Sequence, residues 1–555
     1  MTVNKNAVEM LMEWAKVRPN TPWLFQPLDG AWKTTTWAQA EVQVRSMATA
    51  LRSLNIPAGA AIAISGRNTA HWFLADLAIG MAGYVSVGLY PKQSVDAVKY
   101  ILNHCEAKAV FVGPMPDADD FVKGLPAGIV KIGFPYPDVT IPCEHQWDEL
   151  VKRSEPFSGY VAPDPNALAT LVYTSGTTGN PKGVMITGAN QAFATNGLLK
   201  TMPAVGQERF FSYLPLAHMF ERGAVELASI YLGAQVYFNE SLDKLAEQLK
   251  EVAPTRFFGV PLVYSRIQSG VSRKLPQEKF NRLLKIPILS GLIRKKIKAG
   301  AGLQNARYMF VGAAPMPMAL MQWFDKLGLK VLQGYGMTEN SIYATACLPQ
   351  ANRYGSVGRA MPGADMKLSD EGEILFKHPA VMAGYYKEPE KTKETFTADG
   401  WLRTGDKGRL DADGYLYITG RVKDIFKTLK GKYVAPAPIE GALAKDTDID
   451  QMCFVGTGLT QPIMVITLTP EAQKKDRKEV ERGLIAEMDA VNETLEPHEA
   501  IAKCLIVRDA WTIDNGMMTP TMKVKRNEVE KRFLPLVEKH AKNRDKVGWE
   551  YDTLG

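Results

Sequence analysis

Cysteine is scarce in this sequence: Cys105, Cys143, Cys347, Cys453 and Cys504 are odd in number, scattered through 555 residues and never spaced as CxxC. That usage excludes a disulfide framework and a cysteine-built zinc site, and it fits a reducing, cytoplasmic compartment. His104 and Glu106 form an HxE pair, but Cys143 lacks the PCxxC partner that a zinc deaminase requires. A strong excess of one charge is lacking as well. The formal net charge is +7, with basic residues interspersed among acids along most of the chain, so no nucleic-acid partner is expected. No uncharged run is long enough to cross a bilayer; the apolar run Leu77 to Pro91 is interrupted by Gly80, Gly83 and Gly88. The opening MTVNKNAVEMLMEWAKVRP mixes charge into its apolar positions and has no small-residue cleavage site, so a signal peptide is not expected. Internal repeats and low-complexity tracts are missing.

What is present has the balance of a globular protein, 46% hydrophobic and 23% charged, with length for roughly three or four domain-sized units. From residue 40 the pattern alternates: an amphipathic helix through Val44, Met47, Leu51 and Leu54, a strand at Ala61 to Ile64, a helix at His71 to Met81, a strand at Tyr84 to Leu89. A second series places strands at Phe210 to Leu214, Ala234 to Phe238, Arg256 to Val260, Arg307 to Val311 and Lys330 to Gln333. Such alternation predicts an α/β protein with parallel sheets covered by helices, and ligands beyond the carboxyl ends of the strands. Closely spaced glycines and short β-like pieces over 340 to 420 predict a small β-barrel, and a separate unit begins after Arg421.

The densest chemistry lies in LVYTSGTTGNPKGVMIT, Leu171 to Thr187. Gly176 and Gly179 free backbone N–H groups to form an anion-binding concavity, Thr174, Ser175, Thr177 and Thr178 add hydroxyl donors, and Lys182 supplies a mobile cation. The spacing fails the P-loop template, because TTGNP separates Gly176 from Lys182. A solvated Ser/Thr/Gly loop is the bland alternative.

This string resembles the phosphate-binding motif of the adenylate-forming superfamily. Four further motifs follow in the order typical of that family: QGYGMTE from Gln333, TGD from Thr404, GRVKDIFKTLKGKYVAPAPIE from Gly420 and TPTMKVKR from Thr519. The resemblance implies two stacked α/β subdomains plus the small barrel over residues 1–421, and a smaller, mobile α+β lid over 424–555, with the hinge at 422–424 and Lys423 as its pivot. It further implies three small-molecule substrates, a medium- to long-chain fatty acid, ATP and coenzyme A, with Mg²⁺ accompanying the ATP. Residues Thr174 to Lys182 would hold the β- and γ-phosphates, Thr338 would touch the α-phosphate, and Glu339, with Thr174, would ligate Mg²⁺. Gly312, Ala313 and Ala314 would form the adenine slot with Tyr335 stacking on the ring, Gly334 and Gly336 would also line the nucleotide site, and Asp406 and Arg421 would bind the ribose. Lys523 would bridge carboxylate and α-phosphate; Met522 stands where many members have glycine, although TPTxK resembles the long-chain acyl-CoA synthetase branch. Lys525 is an alternative assignment. After rotation Lys427, Lys430, Gly431 and Lys432 would face the nucleotide and the pantetheine arm.

LPLAHMFERGAVELASIYLGA, Leu214 to Ala234, resembles long-chain fatty acid CoA ligases, which implies His218 beside the anhydride and an acyl pocket of Phe220, Gly223, Phe258, Gly259 and Val260. The small residues here equally suit close helix packing. Transfer to a carrier-protein phosphopantetheine, a non-fatty acid substrate, and a silent binding protein are the alternatives. Finally, Arg273 to Lys298 carries nine basic residues against Glu278 alone, interleaved with Leu and Ile. It reads either as a peripheral contact with the inner membrane face or as a solvated helical insertion. Monomer and homodimer both stay open.

Overall fold

The computed structural model describes residues 5–116, 118–174, 180–444, 446, 448–519, 523–543 and 545–553, without the side chains of Ile288 and Thr553. The chain divides into two compact units: Met1–Ala314, Leu320–Met366 and Phe376–Leu402 in the first; Pro315–Ala319, Lys367–Leu375 and Arg403–Gly555 in the second.

The first unit holds two large sheets. One runs, edge to edge, through Gly384–Tyr385, Lys182–Thr187, Leu168–Thr174, Val85–Leu89, Ala61–Ser65, Ala109–Val112, Val130–Gly133 and His145–Gln146. Its strands are parallel from Leu168–Thr174 onward, and the first three pair antiparallel. All five residues of Ala61–Ser65 and of Val85–Leu89 are buried, as a parallel sheet with helices on both faces requires. The other sheet has nine strands, with a parallel centre of Val331–Tyr335, Tyr308–Val311, Arg256–Gly259, Arg209–Ser212 and Gln235–Phe238. An N-terminal hairpin, Pro22–Leu28 with Ala31–Thr36, closes its far edge. The helices Trp37–Ser53 and Ala70–Ala82 bury Trp37 and Trp72, and Trp23 stacks on Trp37 at 4.1 Å.

Polar side chains tie the two sheets together inside this core. Arg222 is buried, with its guanidinium donating to Asp76 at 2.5 Å, to Thr170 at 2.6 Å and to Ser86 at 3.1 Å. These partners lie on the first sheet and its covering helix. Arg222 itself opens a π-helical turn, Arg222–Leu227, a rare winding that inserts one residue into the helix. Beside it Glu221 accepts from the Ser212 hydroxyl at 2.7 Å and from the Tyr213 N–H at 3.1 Å. Burial pushes the Glu221 carboxyl up to about 8, so it stays protonated at neutral pH. Burial drives Glu226 up as well.

In the second unit, a four-stranded half-barrel sheet carries the expected β pieces, with Leu402–Leu410 antiparallel to Leu416–Arg421. A further four-stranded sheet, Ile449–Val455, Ile463–Leu468, Lys503–Ile506 and Val547–Trp549, is covered by helices Pro436–Leu443, Arg477–Asn492 and Arg526–His540. Arg526 grips Glu440 through two bonds of 2.7 and 2.9 Å and also donates to the Phe454 carbonyl at 2.7 Å. That locks the last helix to the first with a largely buried pair in which one guanidinium nitrogen, Nη2, meets both carboxylate oxygens.

Candidate active site

Strand Leu168–Thr174 and strand Lys182–Thr187 form an antiparallel pair whose last matched residues are Thr174 and Lys182. The glycine-rich segment is therefore the connection of a hairpin, and its mouth is held by a hydroxyl on one side and an ammonium on the other. Ser175, Gly176, Thr177, Thr178 and Gly179 lie outside the described residues.

Lys182 places its Nζ 4.7 Å from the centroid of the Tyr385 ring. The same tyrosine donates its hydroxyl to Glu339 Oε1 at 2.8 Å. Glu339 sits in the short 3₁₀ turn Thr338–Asn340 that follows strand Val331–Tyr335, and Thr338 and Glu339 are both buried. The Asn340 side chain accepts from the Met337 N–H at 2.9 Å, and the Met382 N–H donates to the Glu339 carbonyl at 2.8 Å. The turn ends in two left-handed residues, Ser341 at φ 53° and Ile342 at φ 58°. For a β-branched residue that conformation is strained, and strain of this kind concentrates at functional sites. Gly336 is needed for the same fold-back: a Cβ there would meet the Ile342 carbonyl oxygen at 2.5 Å. The Thr174–Lys182 hairpin and the TE turn, expected separately from sequence, thus share one tyrosine that sequence reasoning passed over. The only signal was its place in the GYY of 384–386.

Gly312 is buried and Ala313 and Ala314 are exposed, with Ala313 held at φ 66°. A Cβ on Gly312 would sit 3.3 Å from the Phe220 ring, so the glycine lets that ring lie close to the strand end. Tyr335 is half-buried, its ring 6.3 Å from Phe376. His218 accepts the Phe220 N–H on Nδ1 at 3.0 Å, which leaves the proton of a neutral ring on Nε2. Phe220 meets Phe258 edge-on at 6.1 Å.

Two glycines expected in an acyl pocket make room for protein side chains. Above Gly223 the Cβ position is 2.9 Å from Ile342 Cδ1, and above Gly259 it is 2.9 Å from the Tyr264 ring and 3.0 Å from the Tyr213 hydroxyl. Val260 caps helix Pro261–Lys274.

In the second unit, Asp406 and Arg421 are cross-strand partners, with Arg421 Nε donating to the buried Asp406 Oδ1 at 2.9 Å. Lys423 is exposed in the turn beyond. Phe426–Lys427 pairs with Tyr433–Val434, with Lys427 Nζ 5.4 Å from the Tyr433 ring, and the connecting turn presents exposed Lys430, Gly431 and Lys432. Gly431 sits at φ 78°, where a side chain would be strained. Exposed Lys523 is tied to Thr519 through its backbone: its N–H donates to the Thr519 hydroxyl at 3.0 Å and its carbonyl accepts the Thr519 N–H at 2.8 Å. Among the described residues no group of three or more His, Cys, Asp or Glu converges as a preformed metal cage. A single buried carboxylate such as Glu339 fits a Mg²⁺ ion that arrives with its phosphates and keeps most ligands from them.

The family model for the AMP-binding enzyme matches residues 11–386, and that for the AMP-binding enzyme C-terminal domain matches 423–545. The chain is 31% identical to the peroxisomal long chain acyl-CoA synthetase 6 of Arabidopsis thaliana, over 91% of this chain and 81% of that protein. It is 30% identical to the long-chain-fatty-acid–CoA ligase FadD15 of Mycobacterium bovis, over 96% of both. The solved adenylation domain of a carboxylate reductase from Mycobacterium chelonae shares the fold, with a TM-score of 0.82 at 21% identity over 97% of this chain and 92% of that one.

Proposed function

We propose that this chain, which belongs to the AMP-binding enzyme family, is an AMP-forming acyl-CoA synthetase for medium- to long-chain fatty acids. The observation that carries the reading is the meeting of the Thr174–Lys182 hairpin mouth and the Thr338–Glu339 turn at one place.

A carboxylate is a poor acyl donor because oxide would have to leave. One carboxylate oxygen attacks the α-phosphorus of ATP, the bond to the β-phosphate oxygen breaks, and pyrophosphate departs with that electron pair. Lys182 and the hydroxyls around it hold the leaving phosphates, and Thr338 meets the α-phosphate. Glu339 and Thr174 would hold Mg²⁺, which when bound would offset phosphate charge. His218 presents Nε2–H toward the developing anhydride, and Lys523 bridges carboxylate and phosphate, a flexible point charge aimed where charge develops. Asp406 accepts from the ribose hydroxyls, with Arg421 holding its other side. A swing about Lys423 then exchanges Lys523 for the hairpin of Lys427 and Gly431, and the coenzyme A sulfur attacks the acyl carbon, losing its proton as AMP leaves. The acyl chain lies along the Phe220–Phe258 aromatic wall.

The helices Pro261–Lys274, Gln277–Leu284 and Pro287–Gly300 add a peripheral contact with an anionic membrane, where the acid substrate partitions. They anchor inward through Phe280, stacked on Trp323, and turn outward Leu262, Ile286 and Leu292, 46%, 47% and 63% exposed, among Lys and Arg. No helix among the described residues is long and apolar enough to cross a membrane.

The test is a panel of acids from acetate to oleate and benzoate, scored for AMP formation with coenzyme A or a carrier protein as acceptor. Palmitate and oleate with coenzyme A should dominate. A tenfold preference for short or aromatic acids, about 1.4 kcal/mol of discrimination, or for the carrier protein, would overturn the assignment.

A further inference from the structure

We propose that Tyr385 is a positioning residue for nucleotide activation, its hydroxyl setting the Glu339 carboxylate and its ring setting the Lys182 ammonium, so that two opposite charges stand ready without neutralising one another. The inference rests on the synthetase reading above and goes beyond it to a residue that touches neither acid nor coenzyme A.

Three observations carry it. Tyr385 is fixed: it is 6% exposed, its strand pairs with Met185 and Val184 next to the phosphate hairpin, and its N–H donates to the Thr392 hydroxyl at 2.9 Å. Its two polar contacts reach the two candidate phosphate-site charges, Glu339 at 2.8 Å through the hydroxyl and Lys182 at 4.7 Å through the ring face. The same short segment also takes hold of the Glu339 backbone through the Met382 N–H. The turn that bears the carboxylate is therefore held at two points.

The physical consequence follows from what the alternative would be. A half-buried ammonium beside a buried carboxylate collapses into an ion pair, and that pair must be broken before either charge can meet phosphate or metal. Among the described residues the two charges are not joined to each other; each meets Tyr385 instead. A ring face attracts a cation more weakly than a carboxylate does, so Lys182 stays available. A hydroxyl bond occupies one lone pair of Oε1 and fixes the plane of the carboxylate.

Tyr385→Phe removes the hydroxyl and keeps the ring, which packs with Val172, Val184 and Met382. Calorimetry should show Mg²⁺ with a non-hydrolysable ATP analogue binding about tenfold more weakly to Tyr385→Phe than to wild type, the scale of a charge-assisted hydrogen bond. Acid-dependent pyrophosphate release should fall, while thioester formation from preformed acyl-AMP should stay within twofold. In a Glu339→Gln background the same change should add less than twofold to the loss of analogue binding. Tyr385→Leu, which also removes the ring, should weaken analogue binding further. Unchanged analogue binding, equal loss of both half-reactions, or full additivity with Glu339→Gln would overturn the proposal. A wild-type enzyme that releases no pyrophosphate with any acid would instead overturn the synthetase reading, while the calorimetry still tests Tyr385.

Discussion

At the scale of single residues, the two lysines assigned to the two half-reactions give the sharpest expectation. Lys523 and Lys427 are both exposed, so neither side chain is part of a packed core and each can be shortened without loss of fold. Lys523→Ala should reduce carboxylate-dependent pyrophosphate exchange by at least a hundredfold, roughly 3 kcal/mol of transition-state stabilisation, yet leave the reaction of preformed acyl-AMP with coenzyme A near wild type. Lys427→Ala should do the reverse. Measuring both half-reactions on both variants checks this, and equal damage to both steps would mean that the exchange of lysines is wrong. The lysines, Glu339 and the Asp406–Arg421 pair were singled out in the sequence because each sits inside a contiguous motif. Tyr385 was not. Its partners lie 46 and 203 residues away, and a two-residue strand leaves no periodicity to read. Gly223 and Gly259 pose a different question: a sequence announces that a side chain is missing, and packing shows which protein groups, here Ile342, Tyr264 and Tyr213, stand beside the gap.

Among the secondary elements, the strands predicted from apolar runs all form, with ends displaced by a residue or two. Their order in the two sheets was not legible, because pairing joins segments far apart in the chain, as in Pro22–Leu28 beside Gln235–Phe238. In the basic insertion one side of the helices packs through Phe280 and Ser290 and the other is exposed, which leaves the membrane reading to a direct test. Ile286→Ser with Leu292→Ser should leave the thermal midpoint within about 2 °C, since surface changes alter stability little. The pair should nonetheless weaken co-sedimentation with phosphatidylglycerol vesicles severalfold, with no change on phosphatidylcholine. High salt should weaken the wild type as well, because polybasic attraction is screened.

Taken as a whole, the molecule responds to pH through the polar cluster that joins the two large sheets. Glu221 titrates near 8 because burial disfavours its anion, against 4.5 in an unfolded chain. Its folded-state pKa is raised, so its favourable contribution is complete below about pH 4.5 and is lost as pH climbs through 8. Glu221→Gln removes the titration and keeps the shape. The stability difference between wild type and Glu221→Gln should therefore shift toward the variant by on the order of 1 kcal/mol per pH unit between pH 5 and 8. Urea titrations of both proteins at several pH values check it, and parallel curves would mean that the carboxyl is ionised in the fold. None of this network was visible in composition, where Asp76, Glu221, Arg222 and Glu226 look like ordinary helix-surface charges.

The strand Gly384–Tyr385 has a consequence for how the protein is made. It is the outer rung of a sheet whose other strands lie between Ala61 and Thr187, so during synthesis the ribosome must add nearly two hundred residues before that rung arrives. Until then Lys182–Thr187 presents bare amide and carbonyl groups to any passing strand. A nascent chain halted short of residue 384 would be a sticky intermediate, in need of a chaperone until the tyrosine clasp has been made and has left the tunnel.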